Sequence, residues 1–206
     1  MTVSTVQAND LLAGVILAGG RSRRMGGALK PLLPLGGKPL LQHVIDRVQP
    51  QVDQLVLSVE QTLDVFEDFA LRQVADPEPD RGPLMGLLTA MKVTAVTHRW
   101  LLLVPCDAPF VPPDLADRLL ASAADSGRSG AVIRYESEIQ PTFSIWRNDV
   151  LPPLEKAVHE KGMAGLKQFL GVIDPAELEW ARSSQSPFFN INDRDGLLEA
   201  ARLLGS

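Results

Sequence analysis

Residues 17–30 read LAGGRSRRMGGALK, which sets four glycines among Arg21, Arg23, Arg24 and Lys30. That mixture suits phosphate. Glycines let the backbone turn tightly and aim amides at an anion, while guanidinium and ammonium groups add charge-assisted hydrogen bonds. Two familiar phosphate motifs are absent: Gly26 is followed by Gly27 and Ala28 rather than by Lys-Ser/Thr, and no Gly-x-Gly-x-x-Gly follows the preceding apolar run. A carboxylate stands in a second informative place, because the run WLLLVPCD from Trp100 ends at Asp107. Asp76 heads a third, the turn-rich stretch DPEPDRGP. Side-chain nucleophiles find no support. There is no Gly-x-Ser-x-Gly elbow, and His43, His98 and His159 have no metal-ligand spacing with one another or with Cys106. Cys106 reads as a small buried side chain. Trp100, Trp146 and Trp180 read as core, with the option that one near the carboxyl edge stacks on a flat ligand.

The elements that must position these residues alternate. GVILAG at 14–19 has the apolar, β-branched character of a strand buried on both faces, and QLVLSV at 54–59 and the Trp100 run repeat it. GAVIRY from Gly130 is a further strand, and residues 139–146 another in which Pro141 demands an edge or a bulge. Val74 to Asp76 is a short strand end. Leu41, Val44, Ile45 and Val48 mark a helix stopped by Pro50; Leu63, Phe66 and Phe69 or Ala70 predict a second over 62–71. Leu84, Leu87, Leu88 and Met91 predict a third, and Leu115, Leu119 and Leu120 a fourth. The tail reads as helices over 148–160, 162–171 and from Asp193. The fold class this predicts is α/β: a single-domain, Rossmann-like, doubly wound, mainly parallel sheet spanning 1–206, with 1–12 a flexible segment. In such sheets ligands bind beyond the carboxyl ends of strands, which selects the loop after Leu17, the surroundings of Asp76, and Asp107.

Bulk properties narrow the partners. A net charge of −5 gives no general attraction to nucleic acid or anionic membrane. The first ten residues show no signal-peptide pattern, and no apolar run approaches the roughly 18 residues of a span. With one cysteine there is no disulfide framework, so the expected place is the cytoplasm.

VILAGGRSRRMGG, the downstream lysine, LGGKPLLQHV at 35–44, GPLMGL at 82–87, PCDAPFVPPDL at 105–115, QPTFSI at 140–145 and NINDRDGL at 190–197 together resemble the molybdenum cofactor guanylyltransferases and their nucleotidyltransferase relatives. The resemblance is collinear over nearly the whole chain. It implies that Leu17, Ala18, Gly19 and Gly20 wrap the nucleotide, and that Arg24 and Lys30 neutralise triphosphate charge in the transition state. Asp76 would stand near ribose and base, with Gly82 and Gly86 in the same pocket. Asp107 would hold Mg2+, for which one well-placed acid together with phosphate oxygens and water suffices. Asn190 and Asn192 would face the metal, the phosphates or the acceptor, although Asn192 and Asp193 also suit helix caps. The related cytidylyltransferases carry Leu-Ala-Ala-Gly in the first loop, so Gly19 removes a methyl where a purine must approach.

Two positions depart from the family pattern. Leu29 replaces an acid before the loop lysine, so whatever orients Lys30 comes from elsewhere. Glu60 stands where the family offers an asparagine; it cannot donate as an amide does, but its carboxylate can accept from N1 and N2 of guanine. Across 161–169, matched to an arginine-bearing segment, only Lys161 and Lys167 are basic. The implied reaction is attack by the terminal phosphate of molybdopterin, with or without molybdenum, on the α-phosphorus of GTP. A phosphate monoester is largely ionised at neutral pH, so alignment and charge cancellation are what the protein must supply. Molybdoenzyme apoproteins and other cofactor-biosynthesis proteins are the further partners that the resemblance implies. A CTP-dependent or sugar-phosphate transferase of the same fold is the alternative, and a non-catalytic nucleotide-binding or cofactor-delivery module the alternative of another class.

Overall fold

Period-two burial builds the first strand: from Leu12 to Leu17 (β1), Leu12 and Ile16 enter one core while Ala13 and Val15 enter the other. The computed structural model describes residues 11–19, 29–78, 80–183 and 185–205. The strand begins two residues before the sequence suggests. Leu11 O accepts from Arg99 N at 3.0 Å and Leu12 N donates to Asp53 Oδ2 at 2.8 Å, so the segment expected to be flexible through residue 12 is already held at Leu11 and Leu12.

Pro34–Leu35 (β2) and Lys38–Pro39 (β3) form a small antiparallel hairpin, with Gly36 and Gly37 supplying φ of 56° and 85° at the turn. Helix Leu40–Val48 (α1) follows, then Gln54–Val59 (β4) and Arg72–Ala75 (β5). The helix expected over 62–71 is a 3-10 segment, Asp64–Phe69, ended by Ala70 in the left-handed region at φ 52°. Phe66 is its one fully buried side chain, and Gln73 ties down both backbone groups of Leu63, so the short link between adjacent strands has too little apolar face to wind an α-helix.

Helix Pro83–Thr94 (α2), strand Trp100–Pro105 (β6), helix Leu115–Ser126 (α3) and strands Gly130–Tyr135 (β7) and Glu138–Arg147 (β8) come next. The chain then runs through Leu151–His159 (α4), Leu166–Ile173 (α5), Ala176–Glu179 (β9) and Arg194–Leu204 (α6). The seven-stranded sheet has the order β5-β4-β1-β6-β8-β7-β9; β8 runs against both neighbours and every other pairing is parallel. Helices α1 and α3 cover one face, and α2, α4 and α5 the other, as a doubly wound sheet requires. Pro141 produces the bulge its missing N–H demands: the register between β7 and β8 shifts between Val132 and Ile133, and Ser144 Oγ closes the detour onto Pro141 O at 3.0 Å. Strand β9 was not anticipated, since AELE carries two acids in four residues; it is an edge strand, and Arg134 pairs with Glu177 across it.

Among the described residues no helix is long and apolar enough to cross a membrane.

Candidate active site

The carboxyl ends of β1, β4 and β6 meet at one edge of the sheet. Ala18 N donates to Ser58 O at 2.8 Å and Cys106 N to Leu17 O at 3.1 Å, so the three chains stay in register until they leave the sheet. Asp107 is the second residue beyond β6. Lys30 opens a 3-10 turn, Lys30–Leu32, with Pro31 next to it and Leu29 packed against the core beneath.

Lys30 Nζ pairs with Asp107 Oδ2 and also donates to Asn192 Oδ1 at 3.1 Å. The Lys30 and Asp107 side chains are only 12% and 15% exposed, so the charges are neutralised mainly by each other. This answers the Leu29 departure: the acid that orients the lysine comes from the end of β6, 77 residues away. Among the described residues, the second carboxylate oxygen of Asp107 is buried without a hydrogen-bond partner, and so is Oδ1 of Asn190. Buried acceptors are normally satisfied. Two buried oxygens with no partner among the described residues are donors of the kind a hard divalent cation takes. Among the described residues no three His, Cys, Asp or Glu side chains form a metal cluster, so such an ion would depend on Asp107, amide oxygen and the ligand's own phosphates.

The segment bearing Asn190 and Asn192 is fixed from both sides. Phe188 meets Tyr135, Phe143 and Trp180 edge-on, with ring centroids 5.5, 4.9 and 5.4 Å away. Ile191 is fully buried in a small core with Leu35, Leu40 and Ala200, and its N–H donates to Asp107 O at 2.9 Å. Asp193, rather than Asn192, caps α6 by accepting from Gly196 N at 2.8 Å, which leaves Asn192 for Lys30.

A cavity of about 750 Å3 opens beside this centre, lined by Leu17, Gly19, Ser58, Glu60, Asp76 and the start of α2. Asp76 follows β5, its N–H donating to Val59 O at 3.0 Å. Burial pushes its carboxyl up to about 6; Thr89 pulls the other way and the nearby Glu60 charge adds to the rise. Gly82 begins α2 at φ 76°, where a methyl group would come within 2.7 Å of Ala164 O. Gly86 lets the helix approach the strands, since a methyl there would lie 2.6 Å from Ser58 Oγ. At Gly19 a methyl would lie 3.3 Å from Glu60 N, so the space it vacates is against the exit of β4.

Leu17, Gly19, Asp76, Lys30, Asp107, Asn190 and Asn192 are thus gathered at one edge. Ala18 lies between Leu17 and Gly19 in the chain, with its side chain in the core and its N–H bonded to Ser58 O. Gly20 and Arg24 lie outside the described residues. Sequence reasoning missed Ser58 and Thr89; the signal for Ser58 was a polar side chain inside an otherwise apolar strand. Cys106 is buried and its thiol is pushed far up, first by burial and then by Asp107, so it is no nucleophile. The three tryptophans are buried, with the Arg118 guanidinium 3.5 Å over the Trp180 ring, so none is presented to a ligand. His43 bonds Leu35 O and His98 is buried beside Thr97, both away from the centre.

Comparison with known proteins gives the same edge a family context. Residues 14–177 match the MobA-like NTP transferase domain. A molybdenum cofactor guanylyltransferase of Mesorhizobium japonicum is 38% identical over 202 residues, covering 95% of this chain and 97% of that protein. One from Nitrobacter hamburgensis is 34% identical, covering 92% and 93%. Among solved structures, molybdopterin-guanine dinucleotide biosynthesis protein A of Archaeoglobus fulgidus superposes with a TM-score of 0.74 at 20% identity, covering 95% of this chain and 99% of that one. A 4-diphosphocytidyl-2C-methyl-D-erythritol synthase of Anaerococcus prevotii superposes at 0.71 and 15%, covering 96% and 97%. At these identities the solved structures establish the fold.

Proposed function

The chain belongs to the MobA-like NTP transferase family, and from that premise we propose that it transfers GMP from GTP to the terminal phosphate of molybdopterin, releasing pyrophosphate. The observation that carries this reading is the convergence of Lys30, Asp107 and Asn192 next to the cavity at the carboxyl edge. No side-chain nucleophile is required, because the acceptor phosphate is already ionised at neutral pH.

The protein's work is alignment and charge. Lys30, held by Asp107 and Asn192, sits where it can turn its ammonium to the phosphates of a bound nucleotide. Arg24 and the amides of Gly19 and Gly20 belong to the same anion-binding role. Asp107, with Asn190 beside it, would hold Mg2+, which supplies charge neutralisation at the transferring phosphate. Asp76 accepts from the nucleoside. Pinning of residues 188–192 keeps the paired asparagines oriented while phosphates arrive, which is the entropy contribution expected of a positioning site. We place the reaction in the cytoplasm, with molybdoenzymes receiving the product.

The test is incubation of the pure protein with Mg2+, molybdopterin with and without molybdenum, and either GTP or CTP, following pyrophosphate and the dinucleotide product. Product from GTP alone is expected. Product from CTP would assign the chain to cytidylyl transfer, and nucleotide binding without product would make it a non-catalytic carrier.

A further inference from the structure

Lys30, Asp107 and Asn192 are each a short step along the chain from one small core. Leu35 lies five residues after Lys30, Phe110 three after Asp107, and Ile191 directly before Asn192. Leu35, Leu40 and Ile191 are buried together with Ala200, and Phe110, Phe189 and Leu197 pack around them. This cluster is separate from the two larger cores that cover the sheet. The lysine and the asparagine that meet at 3.1 Å therefore hang from the same few contacts.

Backbone bonds make each step stiff. Leu33 N donates to Lys30 O at 3.1 Å and Leu40 N to Leu33 O at 2.9 Å, which links the turn that carries Lys30 to the β2–β3 hairpin. On the other side Ile191 N donates to Asp107 O at 2.9 Å. Helix α6 closes the cluster from outside. Its cap, Asp193, adjoins Asn192, and its far end reaches the hairpin turn, where a methyl on Gly36 would lie 3.3 Å from Leu204 Cδ1. Ala200 is the one buried residue of this helix, with no exposed surface at all. A close-packed interior passes added volume on as displacement.

We propose that Ala200 is a positioning residue, whose small side chain sets how closely the Lys30 turn and the Asn192 segment approach and so maintains the contact between their tips. It touches no substrate. Its effect on rate rests on the guanylyl-transfer reading, whereas its effect on Lys30 rests on packing alone.

The experiment is therefore run on two readouts. Acetylation of the full chain by acetic anhydride, followed residue by residue by mass spectrometry, reports the tie on Lys30, with Lys92, paired with Glu155, as the internal reference. In A200V, Lys30 is expected to acetylate about fivefold faster, the scale of one net hydrogen bond, while Lys92 is unchanged. N192A should give the same rise, and A200V should add nothing to it, because two changes that act through one contact are not additive. L35A/A200V, which nearly conserves the volume of the cluster, should return Lys30 to within about twofold of the wild type. Pyrophosphate release from GTP and molybdopterin should follow the same order, with kcat about tenfold lower in A200V and KM for GTP within about twofold. Wild-type acetylation of Lys30 in A200V, rises that multiply in A200V/N192A, or an L35A/A200V protein that folds without recovery would each overturn the role of Ala200. Absence of GTP turnover in the wild type would instead overturn the guanylyl-transfer reading, and the acetylation series would still decide the positioning role.

Discussion

Asn192 Oδ1 accepts from Lys30 Nζ at 3.1 Å, joining residues 162 positions apart, and the same ammonium is paired with Asp107. A flexible four-carbon stem is thereby tied at its tip. Replacing Asn192 with Ala removes one of the two ties but leaves the Asp193 cap of α6 intact. Turnover should fall about tenfold, and the thermal midpoint should move by no more than about 2 °C. Full activity in N192A, measured by pyrophosphate release, would show that Asp107 alone orients the lysine.

Asp107→Asn keeps the shape at the end of β6 while removing both the charge that pairs with Lys30 and an anionic oxygen for a divalent cation. The rate should drop by about 10²–10³, as when a preorganised transition-state contact is lost. Raising Mg2+ should not restore it. Wild-type turnover in a folded D107N protein, with folding checked by circular dichroism, would remove Asp107 from the reaction.

Gly19→Ala presses a methyl toward Glu60 N, at 3.3 Å before relaxation. The neighbour that must yield belongs to Glu60, which lines the cavity together with Gly19, and a purine needs more of that space than a pyrimidine, so GTP affinity should fall more than CTP affinity. Equal loss for both nucleotides in a titration would mean that Gly19 serves the strand exits alone.

Two glycines with positive φ separate steric from conformational effects. At Gly127, φ 66°, an added methyl meets nothing within 4 Å, whereas at Gly82, φ 76°, it lies 2.7 Å from Ala164 O. Gly127→Ala should lose about 1 kcal/mol and Gly82→Ala about 3 kcal/mol, read from urea unfolding. Similar losses at both would contradict the close approach of residue 164 to the start of α2.

The Asp76 carboxyl, pushed up to about 6 chiefly by burial, makes stability depend on pH with a definite sign. Its folded pKa lies above the unfolded value of about 3.9. Between roughly pH 4 and 6 the folded chain therefore binds more protons than the unfolded one, and unfolding free energy falls as pH rises through that window. After allowance for water access, about 1 to 2 kcal/mol should be lost this way by pH 7. D76N should lack that part of the slope. Parallel slopes for the two proteins in urea titrations at pH 4.5 and 7.5 would refute the burial-driven shift.

Much of this was legible in the chain. The exits of β1 after Leu17 and of β6 just before Asp107 are readable because apolar runs buried on both faces stop within two residues of a glycine or an acid, and Pro141 announces its bulge because it lacks a donor. The short 3-10 segment at Asp64–Phe69 was misread as a helix, since three apolar residues at helical spacing do not reveal that only Phe66 finds the core. Strand β9 was hidden by its charges. At the site, residue types pointed to Lys30 and Asp107 separately, but their pairing is a long-range contact that no local pattern encodes. Nor could sequence choose between Asn192 and Asp193 as the cap of α6, because either side chain has the required acceptor.

Strand β9, the last of the sheet, closes at Glu179, whereas Asn190, Ile191 and Asn192 follow it in the chain. During synthesis, therefore, every strand can be made before the residues that complete the centre have emerged. In a nascent protein with a finished scaffold, Lys30 still has no amide partner at residue 192 and Asp107 lacks the Ile191 tether. The sheet is thus complete in sequence before the contacts at its carboxyl edge are, and this edge is the last part of the fold to be tied together.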